Sequence, residues 1–183
     1  AAIGGNTAAI DALLESRSLP HVDGSRVSFI FHGRVDEVRL HHWIFGLPSS
    51  QAFERLHGTD VWHLTMEIPA GSRVEYKFEI RQGHQQRLIA DPHNEHFARD
   101  PYGANSVVHG EGYVEPDWAE EDPEARPGEL RDERLHSDAF GEAREYQIYV
   151  PARYRDTRRY PLLVLHDGYD YQRFTNLKLI LDN

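Results

Sequence analysis

Between Arg26 and Val108 the chain repeats one pattern: a short run with apolar residues at every second position, cut off by turn residues before it can lengthen. Arg26 to His32 sets Val27, Phe29 and Phe31 against Arg26, Ser28 and Ile30. Val35 to Ile44 continues the rhythm through Val38, Leu40 and His42. Trp62, Leu64 and Met66 share one side of Val61–Ile68, and Val74, Tyr76, Phe78 and Ile80 share one side of the next run. Gln86–Ala90 and Ser106–Val108 complete the series. Side chains on a strand point alternately to opposite faces, so such a set is buried by one side of a sheet. Gly33, the loop 46–50, Pro69–Ser72 and Gln82-Gly83-His84 supply the turns. Several short strands at this spacing predict a β-sandwich over residues 21–110.

The flanking segments read differently. Thr7 to Ser18 places Ile10, Leu13 and Leu14 on one helical face, and Leu19-Pro20 ends it, predicting an N-terminal helix within residues 1–20. Residues 111–134 are acidic, carry proline and hold few apolar side chains beyond Trp118 and Leu130, the composition of a linker. Leu135–Phe140 and Ala143–Val150 predict a hairpin turning at Gly141-Glu142. Tyr160 to Leu165 is then an unbroken apolar run, which predicts a strand buried on both faces in a parallel sheet covered by helices. That is a change of fold class, and it sets residues 135–183 apart as the start of a second domain.

Composition narrows the function. A net charge of −10 argues against a broad basic surface for nucleic acid. No apolar run approaches the roughly 20 residues that cross a membrane. With no cysteine there is no disulfide framework, no thiolate nucleophile and no cysteine-held zinc, and a cytoplasmic setting is favoured. Of the twelve histidines, His41 and His42 are adjacent, so a strand points them to opposite faces. His93 and His96, with Asp91 and Glu95, lie in a loop without the spacing of a metalloenzyme. No metal or cofactor is expected.

The sharpest chemical feature is His166-Asp167-Gly168-Tyr169-Asp170, directly after the apolar run. Ligands of open α/β sheets bind beyond the carboxyl ends of the strands. A glycine there turns the chain and leaves backbone N–H groups free for an oxyanion, although Asp-Gly is equally the signature of an ordinary turn. Trp43 is a candidate aromatic platform beside the 46–50 loop, whereas Trp62 alternates with core residues. Arg39 and Lys77 are cations that could meet an anionic substrate, with plain surface charge as the alternative reading.

Two stretches carry a resemblance. Tyr146-Gln-Ile-Tyr-Val150-Pro151-Ala-Arg-Tyr154 followed by Tyr160-Pro-Leu-Leu-Val-Leu-His166-Asp167-Gly168 resembles the opening of the enterochelin-esterase-like and esterase D group of α/β-hydrolases. Val74-Glu-Tyr76-Lys77-Phe78, then Asp91-Pro92-His93-Asn94, then Tyr102-Gly103-Ala104-Asn105-Ser106-Val107-Val108, is similar to the early-set, immunoglobulin-like sandwich that precedes that group's hydrolase domain and also occurs in glycogen-branching enzymes. The resemblance implies a mainly β chain, an immunoglobulin-like sandwich followed by the first strands of an incomplete α/β-hydrolase domain. It implies a serine esterase acting on a small-molecule ester, ferric siderophores among the family's substrates. The Tyr169 amide would help form the oxyanion hole, with Gly168 making the turn. The Gly-x-Ser-x-Gly nucleophile elbow of such enzymes has no counterpart here, since Ser49, Ser50, Ser72, Ser106 and Ser137 lie in other settings. Nucleophile, acid and base are therefore expected beyond Asn183, with this chain alone inactive and dependent on the remainder of the hydrolase domain. The alternative is a carbohydrate-binding or interaction module of the glycogen-binding type, which accounts for residues 25–110 and leaves Tyr146–Tyr169 unexplained.

Overall fold

The computed structural model describes Leu14 and residues 19–183. The helix expected over Thr7–Ser18 falls, apart from Leu14, outside the described residues. The chain divides into two compact units, Ala1–Val114 and Glu115–Asn183.

The first unit is a sandwich of two antiparallel sheets. One has the order β1 (His21–Asp23), β2 (Arg26–His32), β6 (Val61–Glu67), β5 (Glu54–Arg55). The other runs β4 (Ser50–Ala52), β3 (Glu37–His42), β7 (Arg73–Gln82), β10 (Gly103–His109), β9 (Phe97–Asp100), and β8 (Gln85–Ile89) pairs with β7. The alternation in sequence becomes alternation in burial: Val27, Phe29 and Phe31 of β2 face Val38, Leu40, Tyr76, Phe78 and Ile80 of the second sheet across one core. Aromatic edges meet faces there. Phe29 lies 4.8 Å from Tyr76, and Phe53 lies 5.2 Å from Phe78, both near perpendicular, the arrangement that ring quadrupoles favour. Trp62 joins this core, as its alternation with Met66 predicts. The β7–β8 hairpin closes through Gly83-His84, and Gly83 adopts φ +59°, a left-handed value that costs glycine nothing.

Four short strands were not anticipated from sequence: β1, β4, β5 and β9. None is longer than four residues, too few for a period of two to register.

The second unit departs from expectation in three places. Its hairpin starts earlier, with β11 (Glu129–Ser137) pairing along its whole length with β12 (Glu142–Val150), Glu129 opposite Val150. The charges of Glu129, Arg131 and Glu133 hid this strand inside what reads as linker, but a two-stranded ribbon exposes most of its side chains and so tolerates charge at nearly every position. The run Tyr160–Leu165, expected as a buried parallel strand, is not a strand here. Leu162 is 88% exposed and Val164 69%. No hydrogen bond involves residues 161–165 among the described residues. A strand exists by its neighbours' ladder, and among the described residues none lies beside this run. Third, the backbone turn after it is made by Asp167 at φ 56°, not by Gly168, which opens the helix Gly168–Phe174. A second short helix, Leu177–Asp182, ends the unit. Asp182 accepts from the Gly128 amide (2.8 Å) and the Tyr149 hydroxyl (3.0 Å), while Tyr149 donates also to the Leu181 carbonyl at 2.6 Å, tying helix to hairpin.

Phe78 is fully buried among three other rings. Phe78→Ala should therefore lower stability by about 3–5 kcal/mol, read as a lower midpoint in urea unfolding followed by tryptophan fluorescence. Leu162→Ser, at an exposed position, should change stability by no more than about 0.5 kcal/mol.

Candidate functional site

Three places bring chemically capable groups together. The first is at one end of the sandwich. Just past β3 the chain leaves the sheet, and Trp43 stands 68% exposed at an open hollow of about 430 Å³, lined also by Ile44, Pro69, Ser72, Arg73, Val74 and Glu75. Arg73 pairs with Glu75 at 2.8 Å, and Asn105 of β10 donates to the other Glu75 oxygen at 2.8 Å. Of the two cations singled out in the sequence, Arg39 is committed to structure. Its guanidinium donates to Ser50 Oγ (2.7 Å) and Glu37 Oε1 (3.1 Å). Lys77, on the same outward face as Glu75, makes no hydrogen bond or ion pair among the described residues.

The second place is buried. The Tyr76 hydroxyl donates to Asp91 Oδ2 at 2.7 Å and accepts from Asn94 Nδ2 at 3.0 Å. Asn94 also donates to the Val107 carbonyl at 2.7 Å, and the Asp91 amide donates to Ser106 Oγ at 2.8 Å. The His93 amide caps Asp91 Oδ1 at 2.9 Å. Burial raises the Asp91 carboxyl above its ordinary value of 3.8, against the lowering effect of the His93 amide and Tyr76. Burial first, then the facing Asp91 charge, pushes the Tyr76 phenol far up, so it remains a donor at every ordinary pH. This cluster is a structural bracket. Both carboxylate oxygens of Asp91 thus accept hydrogen bonds from the protein. His41 and His42 do point apart as expected: His42 is buried, with Ile44 N–H donating to its Nδ1 (3.2 Å), and burial, then the neighbouring His41, holds its pKa below 6.5. His41 instead meets Glu79 at 2.5 Å.

The third place lies in the second unit. Gly168 and Tyr169 are the first residues of their helix, where backbone N–H groups have no intrahelical acceptor. The first amide to find one is that of Asp170, bonded to the Asp167 carbonyl at 2.9 Å. A Cβ built on Gly168 meets nothing within 4 Å, so no packing in this unit demands glycine there. Glu75 and Asn105 escaped the sequence reading. Their signal was the same alternation that places Lys77 on the outward face, read only for its apolar half.

Comparison with known proteins fits this architecture. Residues 34–118 match the sequence family described as "Enterochelin esterase, N-terminal". The ferric enterobactin esterase from Salmonella typhimurium superposes on 94% of this chain and 54% of its own, with a TM-score of 0.66 at 19% identity. The enterobactin esterase from Shigella flexneri, solved in the presence of enterobactin, covers 94% of this chain and 52% of its own, with a TM-score of 0.61 at 20% identity. Likeness at these identities is likeness of fold. The chain spans about half the length of the solved proteins it matches. No curated protein matches its sequence. Residues 34–118 are thus similar to the N-terminal module of enterochelin esterases, the resemblance that the motifs around Tyr76, Asp91 and Ser106 carry.

Because the native state holds a proton on Asp91 more tightly than the unfolded chain does, that residue's contribution to stability is greatest below pH 3.8 and declines as pH rises through the raised native value. Asp91→Asn keeps an acceptor for Tyr76 and should flatten this part of the pH–stability profile in urea titrations. Tyr76→Phe, which strands the Asp91 carboxyl, should cost about 1–3 kcal/mol.

Proposed function

We propose that this chain is the N-terminal portion of a serine carboxylic-ester hydrolase, in which the second unit begins the catalytic domain. The observation that carries the reading is the family match over residues 34–118, which is specific to the N-terminal module of enterochelin esterases. The fold shared with the two enterobactin esterases over 94% of the chain supports it for the second unit too. The substrate class is a small-molecule ester, a ferric siderophore being the specific case that the relatives' ligands suggest.

In this reading the Gly168 and Tyr169 amides supply oxyanion-hole donors. Attack on an ester carbonyl places negative charge on its oxygen, and a preorganised N–H aimed at that position is worth about 3–4 kcal/mol in the transition state. Gly168 suits the role because its missing side chain leaves the approach open. The sequence holds no Gly-x-Ser-x-Gly elbow, so the serine, its histidine and the acid would follow Asn183 in the chain order usual for α/β-hydrolases. Such a mechanism needs no metal or cofactor. The apolar run Leu162–Leu165 would take its place as a sheet strand when flanking strands are supplied. The lack of cysteine suits a cytoplasmic setting, and among the described residues no helix is long and apolar enough to cross a membrane.

Hydrolysis of p-nitrophenyl acetate separates the outcomes. The 183-residue chain should show none above buffer, and a chain continued through roughly 200 further residues of its reading frame should be active. In that longer protein Gly168→Val should lower kcat by about a hundredfold or more with little change in KM. Turnover by the 183-residue chain itself would refute the assignment of the nucleophile.

A further inference from the structure

The hairpin between β3 and β4 ends in an apolar tip. Trp43 and Phe45 stand 68% and 102% exposed, and Leu47 beside them is exposed as well. Ile44, between the two rings, packs against the core. The tip is held by its own hydrogen bonds. The His42 amide donates to the Ser49 carbonyl at 3.0 Å, the Leu47 amide to the Ile44 carbonyl at 3.3 Å, and the Ile44 amide to His42 Nδ1 at 3.2 Å. Gly46 supplies a left-handed φ of +84° at the third position of the turn 44–47. The rings are therefore presented on a fixed backbone, which removes much of the ordering cost that a flexible loop meets on association.

Shape, charge and area together say what covers them. The 430 Å³ hollow lined by Trp43, Ile44, Pro69 and Val74 lies at the same tip. One surface thus carries a projecting ring, Phe45, and an apolar recess of a kind that receives one. A patch that is knob and recess at once is self-complementary, and a two-fold axis is the operation that fits such a patch to itself. The chain carries a net charge of −10, so contacts between copies generally set like charges together. Residues 43–53 hold no charged side chain, which exempts this face. At the rim of the hollow Arg73 and Glu75, paired at 2.8 Å, offer both signs to an approaching copy. Aromatic side chains bury about 150–250 Å² each, so the four rings of two copies supply roughly 600–1,000 Å². Leu47 and Pro48 bring the patch to the size at which specific but weak interfaces begin, about 1,000 Å². A bilayer is the other apolar phase that such a tip enters, but anionic headgroups repel a chain of this charge, and Arg73, the cation at the hollow, is already paired.

From this arrangement we infer that the tip joins two copies of the chain about a two-fold axis, with Phe45 of each copy seated in the Trp43 hollow of the other. The contact involves the first unit alone. It is independent of the ester chemistry proposed for the second, and either can stand without the other.

The test is sedimentation velocity on the 183-residue chain from about 1 to 200 µM. A saturable monomer–dimer equilibrium with Kd of about 1–100 µM is expected for an interface of this size. Phe45→Asp, which sets a carboxylate against the partner's apolar recess, should leave a monomer throughout. Trp43→Ala should raise Kd by about tenfold or more, and Leu88→Ser, comparably exposed on β8, should leave it unchanged. An unchanged thermal melt verifies that each variant remains folded. A monomer at the highest concentration, or a dimer that survives Phe45→Asp, would overturn the inference. So would an assembly that grows past the dimer or that Leu162→Ser abolishes, since association would then belong to the apolar run of the second unit. Cosedimentation of a monomeric chain with phosphatidylcholine vesicles, lost in Phe45→Asp, would overturn it in favour of a lipid surface.

Discussion

A single buried carboxylate organises one edge of the sandwich. Asp91 sits where the chain leaves β8 and must travel through a loop before it can pair again at β9. With no regular ladder in that stretch, its backbone polar groups need other partners. Tyr76 from β7, Ser106 from β10 and the His93 amide all converge on Asp91, and Asn94 closes the ring back to Tyr76 and to β10. The bracket fixes the loop to the two central strands of the larger sheet. It also sets the height at which Tyr76 enters the core, where its ring meets Phe29 of the opposite sheet. Polar network and aromatic core thus share one residue. The outward face of β7, with Glu75 and Lys77 on either side of Tyr76, inherits its geometry from that anchor.

The two units solve the burial problem to different degrees. The first closes two sheets on each other and hides nearly every large apolar side chain that its strands turn inward. In the second, Leu162, Leu163, Val164 and Tyr169 all remain exposed, and no residue of either helix is buried. Polar clasps hold it: Asp182 with Gly128 and Lys178, and Tyr149 with the end of the second helix. In the proposed reading, this apolar run and the helix that follows it are a strand–turn–helix unit that further strands would pair.

What the sequence reveals depends on how many residues carry each signal. β2, β3, β6 and β7 were legible because seven or so alternating positions leave little room for another period. β4, β5 and β9 were not, having four residues or fewer. The hairpin start at Glu129 was masked by charge, since a ribbon open to water places no apolar demand on its sequence. Composition alone could not tell it from linker. The three motifs carrying the family resemblance, around Tyr76, Asp91 and Ser106, were visible as separate words, but that they form one hydrogen-bonded cluster required coordinates. The same holds for Asp167, whose left-handed φ went unread because the glycine beside it offered the easier explanation. Trp43, read as the more exposed indole for its place beside the 46–50 loop, is exposed, and Trp62 lies in the core. Glu75 and Asn105 were missed because only the apolar phase of their strands was followed.

In the proposed reading, the sandwich holds its own core, while the run Leu162–Leu165 lacks strand neighbours among the described residues. Amide hydrogen exchange on the 183-residue chain, resolved by residue, tests it most directly. The account predicts slow exchange, near the global unfolding limit, for Tyr76 to Ile80 and Ser106 to Val108, with Leu162 to Leu165 exchanging at the rate of an unstructured peptide. Protection of Leu162–Leu165 equal to that of β7 would contradict this, because the apolar run would then already have hydrogen-bonded neighbours.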